Sequence, residues 1–482
     1  MEFPSDKAFG SVAPIHMAQV QKSSHVARKT QTPSAFHPLS IQAGAHMPSC
    51  AQNNERFTGM QRLAHTLPAL IWAAIVIALF IGTPSPDLTA LYVAGATVSQ
   101  GIPEAVYATP PDVFSAEAPP VLAAVRSGLG LADLPSAPYL YPPLWAWLAA
   151  PLTKAVSHDA FVNAALVLHV AMLAAAIGLS WRIVRPHGLA FRHWMILGFA
   201  ILLLTAPARE ALLANSPQIT SLFAVLLAFE RYRAGAFAMA GALLAVAAAI
   251  TLAPLFLALI FVLERNGRAA LAFAGMGGLL ALSSLALAGA QPHSEFLALL
   301  GHIDNLTVLG ATNFAPETVL FQLASLLTGD DTSGWSMAQI TTWPEPLWLS
   351  VLMGTLMLAA LAALILMRPR LVPGTAVPVL VLGISLATAL FGPVSWAQLY
   401  LLPLLLMPTL FHLVSRETAW RWIIAVIAVQ SLPAYMLWSE LSTALFVTTL
   451  AGVLTFLGLL ALLALAVFRA VRFEPDIPLH FR

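Results

Sequence analysis

Charge is what this chain has least of. Of its 482 residues only 9% are Asp, Glu, Lys or Arg, while 59% are hydrophobic and the mean hydropathy is +0.82. Soluble domains carry ~25% charged residues, so a water-soluble fold of this length is excluded and a polytopic membrane protein is implied. Cysteine is nearly absent: the single Cys50 excludes an internal disulfide and a metal cluster built on cysteine. A net charge of +1 gives no footprint for nucleic acid. The apolar runs lack the dyad alternation of an outer-membrane barrel. There is no Gly-rich phosphate loop and no nucleophile elbow. Acids and bases are nearly missing from the middle of the apolar runs, where ion-coupled transporters keep them.

What is present is a long series of helix-length apolar runs. Residues 1–64 stand apart: they are rich in Ser, Gln, His, Pro and Ala, show no periodicity and read as disordered. No apolar stretch precedes Leu67, so a cleavable signal peptide is not expected. Lys22, Arg28, Lys29, Arg56 and Arg62 come before the first run and place the N-terminus in the cytoplasm. The runs are Leu67–Ile81, Phe161–Ile183, Trp194–Ala206, Ala211–Phe229, Ala236–Ile250, Leu252–Leu263, Ala270–Ala288, Leu347–Met367, Pro373–Phe391, Ala397–Leu413, Ile423–Leu437 and Ala444–Phe468. Basic clusters at Arg182 and Arg185, Arg231 and Arg233, Arg265 and Arg268, Arg368 and Arg370, Arg416 and Arg421, and Arg469 and Arg472 close the inside ends.

The expectation is an all-α polytopic membrane protein of about twelve spans with both termini cytoplasmic. Two long loops, 82–140 and 290–345, fall outside. The chain then divides into a segment 1–64, a membrane domain 65–472 and a short cytoplasmic tail 473–482. Tyr141–Val156 is expected to insert only partly from the outer face, since a crossing there would carry Arg182, Arg185 and Arg192 outside. The amphipathic stretch Val121–Leu134 suggests a short helix in the first loop.

The polar residues collect on or near the outer face, and function is expected there. Asp87 is the first acid after the first run, behind a Thr-Pro-Ser-Pro turn and at the start of a helical pattern through Leu88, Leu91, Tyr92 and Gly95. A plain capping aspartate and a functional carboxylate both fit that position. Tyr141, in Tyr-Leu-Tyr-Pro-Pro-Leu-Trp, fits an interfacial aromatic belt or a rigid wall beside a sugar or lipid. Arg209 fits either a pair with Glu210 or a phosphate contact, and Asn215 and Gln218 have amides suited to sugar hydroxyls. Trp396 and Gln398 lie in a Gly-Pro-Val-Ser-Trp-Ala-Gln break between two runs. His293, His302, Asp304 and Glu317 follow no metal-binding spacing, so no metal site is expected.

Taken in order, these motifs resemble a known family. Asp87 begins a D-x-x-x-x-Y-x-A-G pattern; Tyr-Pro-Pro at 141–143 follows, then Arg209 with Asn-Ser-Pro-Gln at 215–218, Ile-Thr-Leu-Ala-Pro at 250–254, and Pro-Val-Ser-Trp at 393–396. The set is similar to the family 87 glycosyltransferases, GT-C-type membrane enzymes, over roughly residues 67–470. That family often has Lys where this chain has Thr251, and His where it has Gln398. The resemblance implies a GT-C-type helical bundle in the plasma membrane. It implies no cofactor, a polyprenyl-phosphate sugar as donor, and a lipid or glycan hydroxyl as acceptor, met at the outer, periplasmic side. The sugar is mannose-like, a hexose or pentose, and its transfer inverts the anomeric carbon. Asp87 matches the catalytic acid position and becomes the general base. Tyr92, Tyr141, Arg209, Asn215, Gln218, Thr251, Trp396 and Gln398 are the expected substrate contacts, and grooves between helices hold the lipid tail among membrane lipids. A lipid-linked-saccharide transporter or an inactive membrane scaffold is the alternative.

Topology is open to direct measurement. With Cys50 replaced by Ser, Asn266→Cys is expected to stay unlabelled when intact cells meet a membrane-impermeant maleimide, while Asp330→Cys reacts. Labelling at position 266 from outside would reverse the orientation.

Overall fold

The computed structural model describes residues 51–109, 113–114, 118–135, 137–330, 335–337, 339–441 and 444–470. Residues 1–50 of the N-terminal segment, with Cys50, together with Asp112 and the tail 473–482, lie outside the described residues. The chain divides into two compact units, Met1–Phe57 and Thr58–Arg482, and the core and the site belong to the second.

Helix α1 (Ala51–Phe80) ends at Gly82, whose φ of 72° turns the chain, and two prolines then forbid continuation. Three helices follow: α2 (Pro86–Ser99), α3 (Pro120–Gly128) and α4 (Pro143–Ala155). Tyr141–Val156 thus supplies α4, which lies along α2. Their contact is close at Gly95, where a Cβ would stand 2.9 Å from that of Ala149. The chain then runs through α5 (His158–Val184), α6 (Phe191–Leu204), α7 (Ala206–Leu213), α8 (Gln218–Arg233), α9 (Phe237–Ile250), α10 (Leu259–Leu263) and α11 (Gly267–Ala288).

The segment 290–345 is not a bare loop. It contains α12 (Ala290–Ile303), an antiparallel hairpin of β1 (Leu306–Leu309) and β2 (Thr341–Pro344) with Thr307 opposite Trp343, and between the strands α13 (Pro316–Thr328). The remaining helices are α14 (Leu347–Met367), α15 (Pro373–Phe391), α16 (Leu401–Leu405), α17 (Arg416–Val429), α18 (Leu432–Ser439) and α19 (Ala444–Ala470).

Among the described residues five helices are long and apolar enough to cross a membrane: α5, α11, α14, α15 and α19, some with a residue or a turn more or less at their ends. The protein is therefore predominantly helical, with one small hairpin, and integral to a membrane. Several of the apolar runs are not single helices, because proline and polar residues punctuate them. Ala211–Phe229 is divided at Asn-Ser-Pro into α7 and α8, which are bent by 118°. Ala397–Leu413 is not one helix either. Pro403 and Pro408 leave it as a 3-10 turn at Ala397–Tyr400, the short α16, and a second 3-10 stretch at Met407–His412. Ile423–Leu437 breaks at Gln430–Ser431, where Ser431 accepts from Ala434 N as the cap of α18.

Broken backbone inside an apolar environment must find partners. Here the breaks satisfy one another. Ala206 N donates to Gln430 O at 2.8 Å, joining the start of α7 to the end of α17, and Thr205 bridges Ser431. Ala397 N donates to Thr312 O (2.7 Å), Phe314 N to Ser395 O (2.8 Å), and Asn313 accepts from Ser395 N at 2.9 Å. The core beneath is continuous from α1, α5 and α6 through α8 to α15, α16 and α19. In it Tyr400 stacks on Phe456 with ring centroids 3.9 Å apart. At the end of α8 away from Asn215, the buried Glu230 pairs with Arg182 (2.6 Å) and Arg231 (2.5 Å).

Where water is absent, helix association rests on van der Waals packing of small residues rather than on the hydrophobic effect. Helices α9 and α11 pack this way. A Cβ on Gly241 would lie 2.1 Å from the Ala269 carbonyl oxygen. Gly241→Ala should therefore push these helices apart and cost ~1–3 kcal/mol, the usual range for overpacking. In detergent its melting temperature should fall clearly below that of Gly275→Ala, a site where an added Cβ meets nothing within 4 Å. Equal melting of the two variants would contradict the packing.

Candidate active site

Asp87 stands in the first turn of α2, just after Pro86. Ser85, not Asp87, is the N-cap residue, so the Asp87 carboxylate is free to serve its neighbours. The partial positive charge of the helix start favours it there. Tyr141 donates its hydroxyl to Asp87 Oδ2 at 3.2 Å, and Ser216 lies near enough to act on both groups. Tyr141 is held in turn: its carbonyl accepts from the Tyr107 hydroxyl (2.8 Å), and its ring lies edge-on to Tyr139 at 5.8 Å. Burial pushes the Asp87 carboxyl above its ordinary value, and the hydroxyls of Ser216 and Tyr141 draw it part of the way back.

Ser216 reaches this place because α7 and α8 part at Asn215. Asn215 adopts a left-handed backbone, φ 48°, and is almost fully buried. Its amide donates to Val162 O (2.9 Å), and its Oδ1 accepts from His169 Nδ1 (2.7 Å). His169 Nε2 then accepts from the Thr220 hydroxyl at 3.1 Å, so one neutral tautomer serves all these bonds. Asn215, expected as a substrate contact, is a strut between α5 and the α7–α8 turn, with both ends of its amide engaged in the fold. Tyr92 is engaged by the fold in the same way. It is buried on α2, and its hydroxyl donates to the carbonyls of Val156 (2.9 Å) and Thr153 (3.3 Å) at the end of α4.

Beyond Ser216 the chain opens onto a groove. Gln218 N donates to Ser216 Oγ at 3.4 Å, and the Gln218 side chain lines a cleft with about 550 Å³ of empty space, part of it open to the surface. Gln218, Thr251 and Gln398, three expected substrate contacts far apart in sequence, meet in this cleft. Ser221, Ser385 and Thr388 add hydroxyls, and Leu222, Val225, Leu257, Leu399 and Leu402 give the remainder an aliphatic wall. The Thr251 hydroxyl bonds that of Ser221 (2.8 Å), which donates to Ala247 O. No residue lining the cleft is charged.

Arg209 is not among the lining residues; it pairs with Glu210 at 2.8 Å and remains 44% exposed. Trp396 is half-buried and lies edge-on to Phe114, with ring centroids 5.7 Å apart. Ser216, Ser221, Ser385 and Thr388 are the residues that sequence reasoning passed over. The available signal was a hydroxyl inside an apolar run. That signal is ambiguous, because Ser385 and Thr388 also bond carbonyls of their own helix.

Among protein families, the model described as glycosyltransferase family 87 matches residues 139–387. The matched stretch carries Tyr141, Ser216, Gln218 and Thr251, while Asp87 lies well before it and Gln398 shortly after it. No curated protein matches the chain.

A second set of acids lies in the segment between α12 and α14. Glu317, in the first turn of α13, is buried, and Glu345 and Asp304 act on it. Burial first, and then these neighbouring carboxylates, push Glu317 up to about 8, and burial with Asp304 pushes Glu345 to about 7. Among the described residues no group of three or more His, Cys, Asp or Glu side chains is placed to hold a metal ion. Glu317 therefore keeps its proton near neutrality in the folded protein, while the unfolded chain loses it near the ordinary value of 4.5. Its contribution to stability is fully present below that value and is lost as pH rises towards about 8. Melting in detergent should accordingly fall between pH 5 and pH 8 in the wild type and fall less in Glu317→Gln. Parallel curves would show that Glu317 is ionised in the fold.

Proposed function

The chain belongs to glycosyltransferase family 87, and from that membership we propose that it moves a mannose-like hexose or pentose from a polyprenyl-phosphate donor to a hydroxyl of a lipid or glycan. It is a membrane glycosyltransferase. In the proposed reaction the site faces the outer, periplasmic side of the plasma membrane. Both termini are cytoplasmic, and no cofactor takes part.

The observation that carries the reading is the juxtaposition of Asp87 with the head of the groove through Ser216. Asp87 takes the proton of the acceptor hydroxyl as that oxygen bonds to the anomeric carbon, and the polyprenyl phosphate leaves from the opposite face with inversion. A carboxylate raised by burial is a stronger base than one in water, and the Ser216 and Tyr141 hydroxyls offset part of that rise. Gln218, Thr251 and Gln398 are the groups available to the departing phosphate, helped by the backbone amides at the start of α8. The aliphatic wall of the groove suits the first isoprenes of the donor, at ~0.8 kcal/mol per buried CH₂. Arg209, paired with Glu210 away from the groove, is left to the surroundings of the acceptor.

Asp87→Asn tests the assignment. Asn keeps the shape and can still accept from Ser216 and Tyr141, but it cannot take a proton. Removal of the base should cost ~3–5 kcal/mol in the barrier. Turnover with a labelled polyprenyl-phosphate hexose should fall by roughly a hundredfold or more, with thermal unfolding unchanged. In the wild type activity should be lost as pH drops through the Asp87 value, because protonation removes the base. Near-normal turnover of Asp87→Asn would assign the base elsewhere or leave the chain a scaffold.

A further inference from the structure

Helix α8 starts at the groove with Gln218 and, being 16 residues long, carries the chain roughly 24 Å away to Arg233. Helix α5 ends beside it. There Arg182 of α5 and Arg231 of α8 both pair with the buried Glu230, at 2.6 and 2.5 Å. Arg185 and Arg233 follow within a turn. Arg185 adds its field to the same Glu230, and it also acts on Arg233, a like charge. Four arginines thus meet one carboxylate. Among the described residues no carboxylate forms an ion pair with Arg185 or Arg233.

Bonds between elements fix this end of the bundle. Arg185 closes α5 with a left-handed backbone, φ 49°; its N donates to Trp181 O at 2.8 Å and its Nε to Arg182 O at 3.3 Å. His412, at the end of the Met407–His412 stretch, donates Nε2 to Val184 O at 2.9 Å, and the His187 ring lies edge-on to it at 5.2 Å. Gly188 rests against Arg416 of α17: a Cβ there would stand 3.9 Å from Arg416 Cδ. Arg233 is half-buried and donates to Gly374 O at the start of α15. An arginine that only marks one side of a membrane protein extends into water and needs no such support. A carbonyl partner anchors the Arg233 guanidinium without neutralising it. Next to this contact, at the cap of α15, Val372 is 59% exposed.

We propose that the ends of α5, α8, α15 and α17 form a seat for one anionic phospholipid. Its phosphate lies between Arg185 and Arg233, with His187 and Arg416 at the rim, and its acyl chain runs along the exposed Val372. Guanidinium groups match phosphate oxygens with paired donors, and an anion placed between two like charges relieves their repulsion. A soluble phosphate would meet the same charges but leave the apolar flank bare, so a lipid is the better fit. The seat lies at the opposite end of α8 from the groove, and it stands or falls separately from the transfer reaction.

The test measures lipid binding to the delipidated full chain in detergent by native mass spectrometry. The probes are dioleoyl phosphatidylglycerol, dioleoyl phosphatidylcholine and, as the soluble counterpart, glycerol phosphate. Wild type should bind one phosphatidylglycerol about tenfold or more tightly than phosphatidylcholine. Arg185→Gln and Arg233→Gln should each weaken phosphatidylglycerol about fivefold, and the double variant about twentyfold, near the worth of basic residues at a lipid surface. Arg421→Gln, which removes an exposed base already paired with Glu417, should change it by no more than about twofold. An equal loss in Arg421→Gln would overturn the seat and leave only the general charge of that face. Equal binding of the two lipids would overturn it as well. Displacement of the lipid by an equal concentration of glycerol phosphate would make it a site for a soluble anion instead. If Arg233→Gln does not fold without its bond to Gly374, the exposed Arg185 carries the test through Arg185→Gln, and an unchanged affinity there refutes the proposal.

Discussion

The structure depends on how a helix is broken where there is no water. A carbonyl or amide left without a partner in the apolar layer costs several kcal/mol, so each interruption must carry its own replacements. At Asn215 the replacement is a side-chain amide that bonds one carbonyl of α5 and one imidazole of the same helix. At Thr205 and Gln430 two breaks face each other and exchange a bond. At Asn313 and Ser395 an outer turn and the turn after α15 are joined by both side chain and backbone. These interruptions are what bring polar atoms to the head of an otherwise aliphatic bundle.

That arrangement gives the site its electrostatic character. The carboxyl group is buried beside neutral hydroxyls, while the groove beside it offers amides and hydroxyls but no charge. A neutral, pre-oriented lining is suited to a charge that develops during the reaction, since fixed dipoles need no reorganisation at that moment. It also asks little of the resting protein, because an unpaired buried cation would have to be sustained while the groove is empty. Arg209, bound to Glu210, and the ion pairs around Glu230 keep the strong charges elsewhere.

Much of the architecture was legible in the residues. Leu347–Met367 and Pro373–Phe391 are helices over the stretches their apolar runs mark out, and Asp87, Tyr141, Gln218, Thr251 and Gln398 were singled out from type and position. The errors share one origin. Hydropathy reports that a stretch prefers lipid or core, not that its backbone is continuous, so Ala211–Phe229 and Ala397–Leu413 read as simple spans although proline and Asn divide them. Tyr92 and Asn215 look like ligands because an amide or phenol beside a turn has the same composition whether it faces a substrate or a neighbouring carbonyl.

The sequence by itself determined the helical, membrane-integral class and the family. These follow from composition, run length and short ordered motifs, all of which are local. The tertiary structure alone decided which polar residues gather at the cleft and which bond within the fold. It joined Gln218, Thr251 and Gln398 in one cleft, turned Asn215 and Tyr92 inward, and set Ser216 against Asp87 across about 130 positions of chain. The physical reason is that a hydrogen-bonding side chain carries no mark of its partner. Its role is fixed only when the bend between α7 and α8 selects the oxygen it will meet.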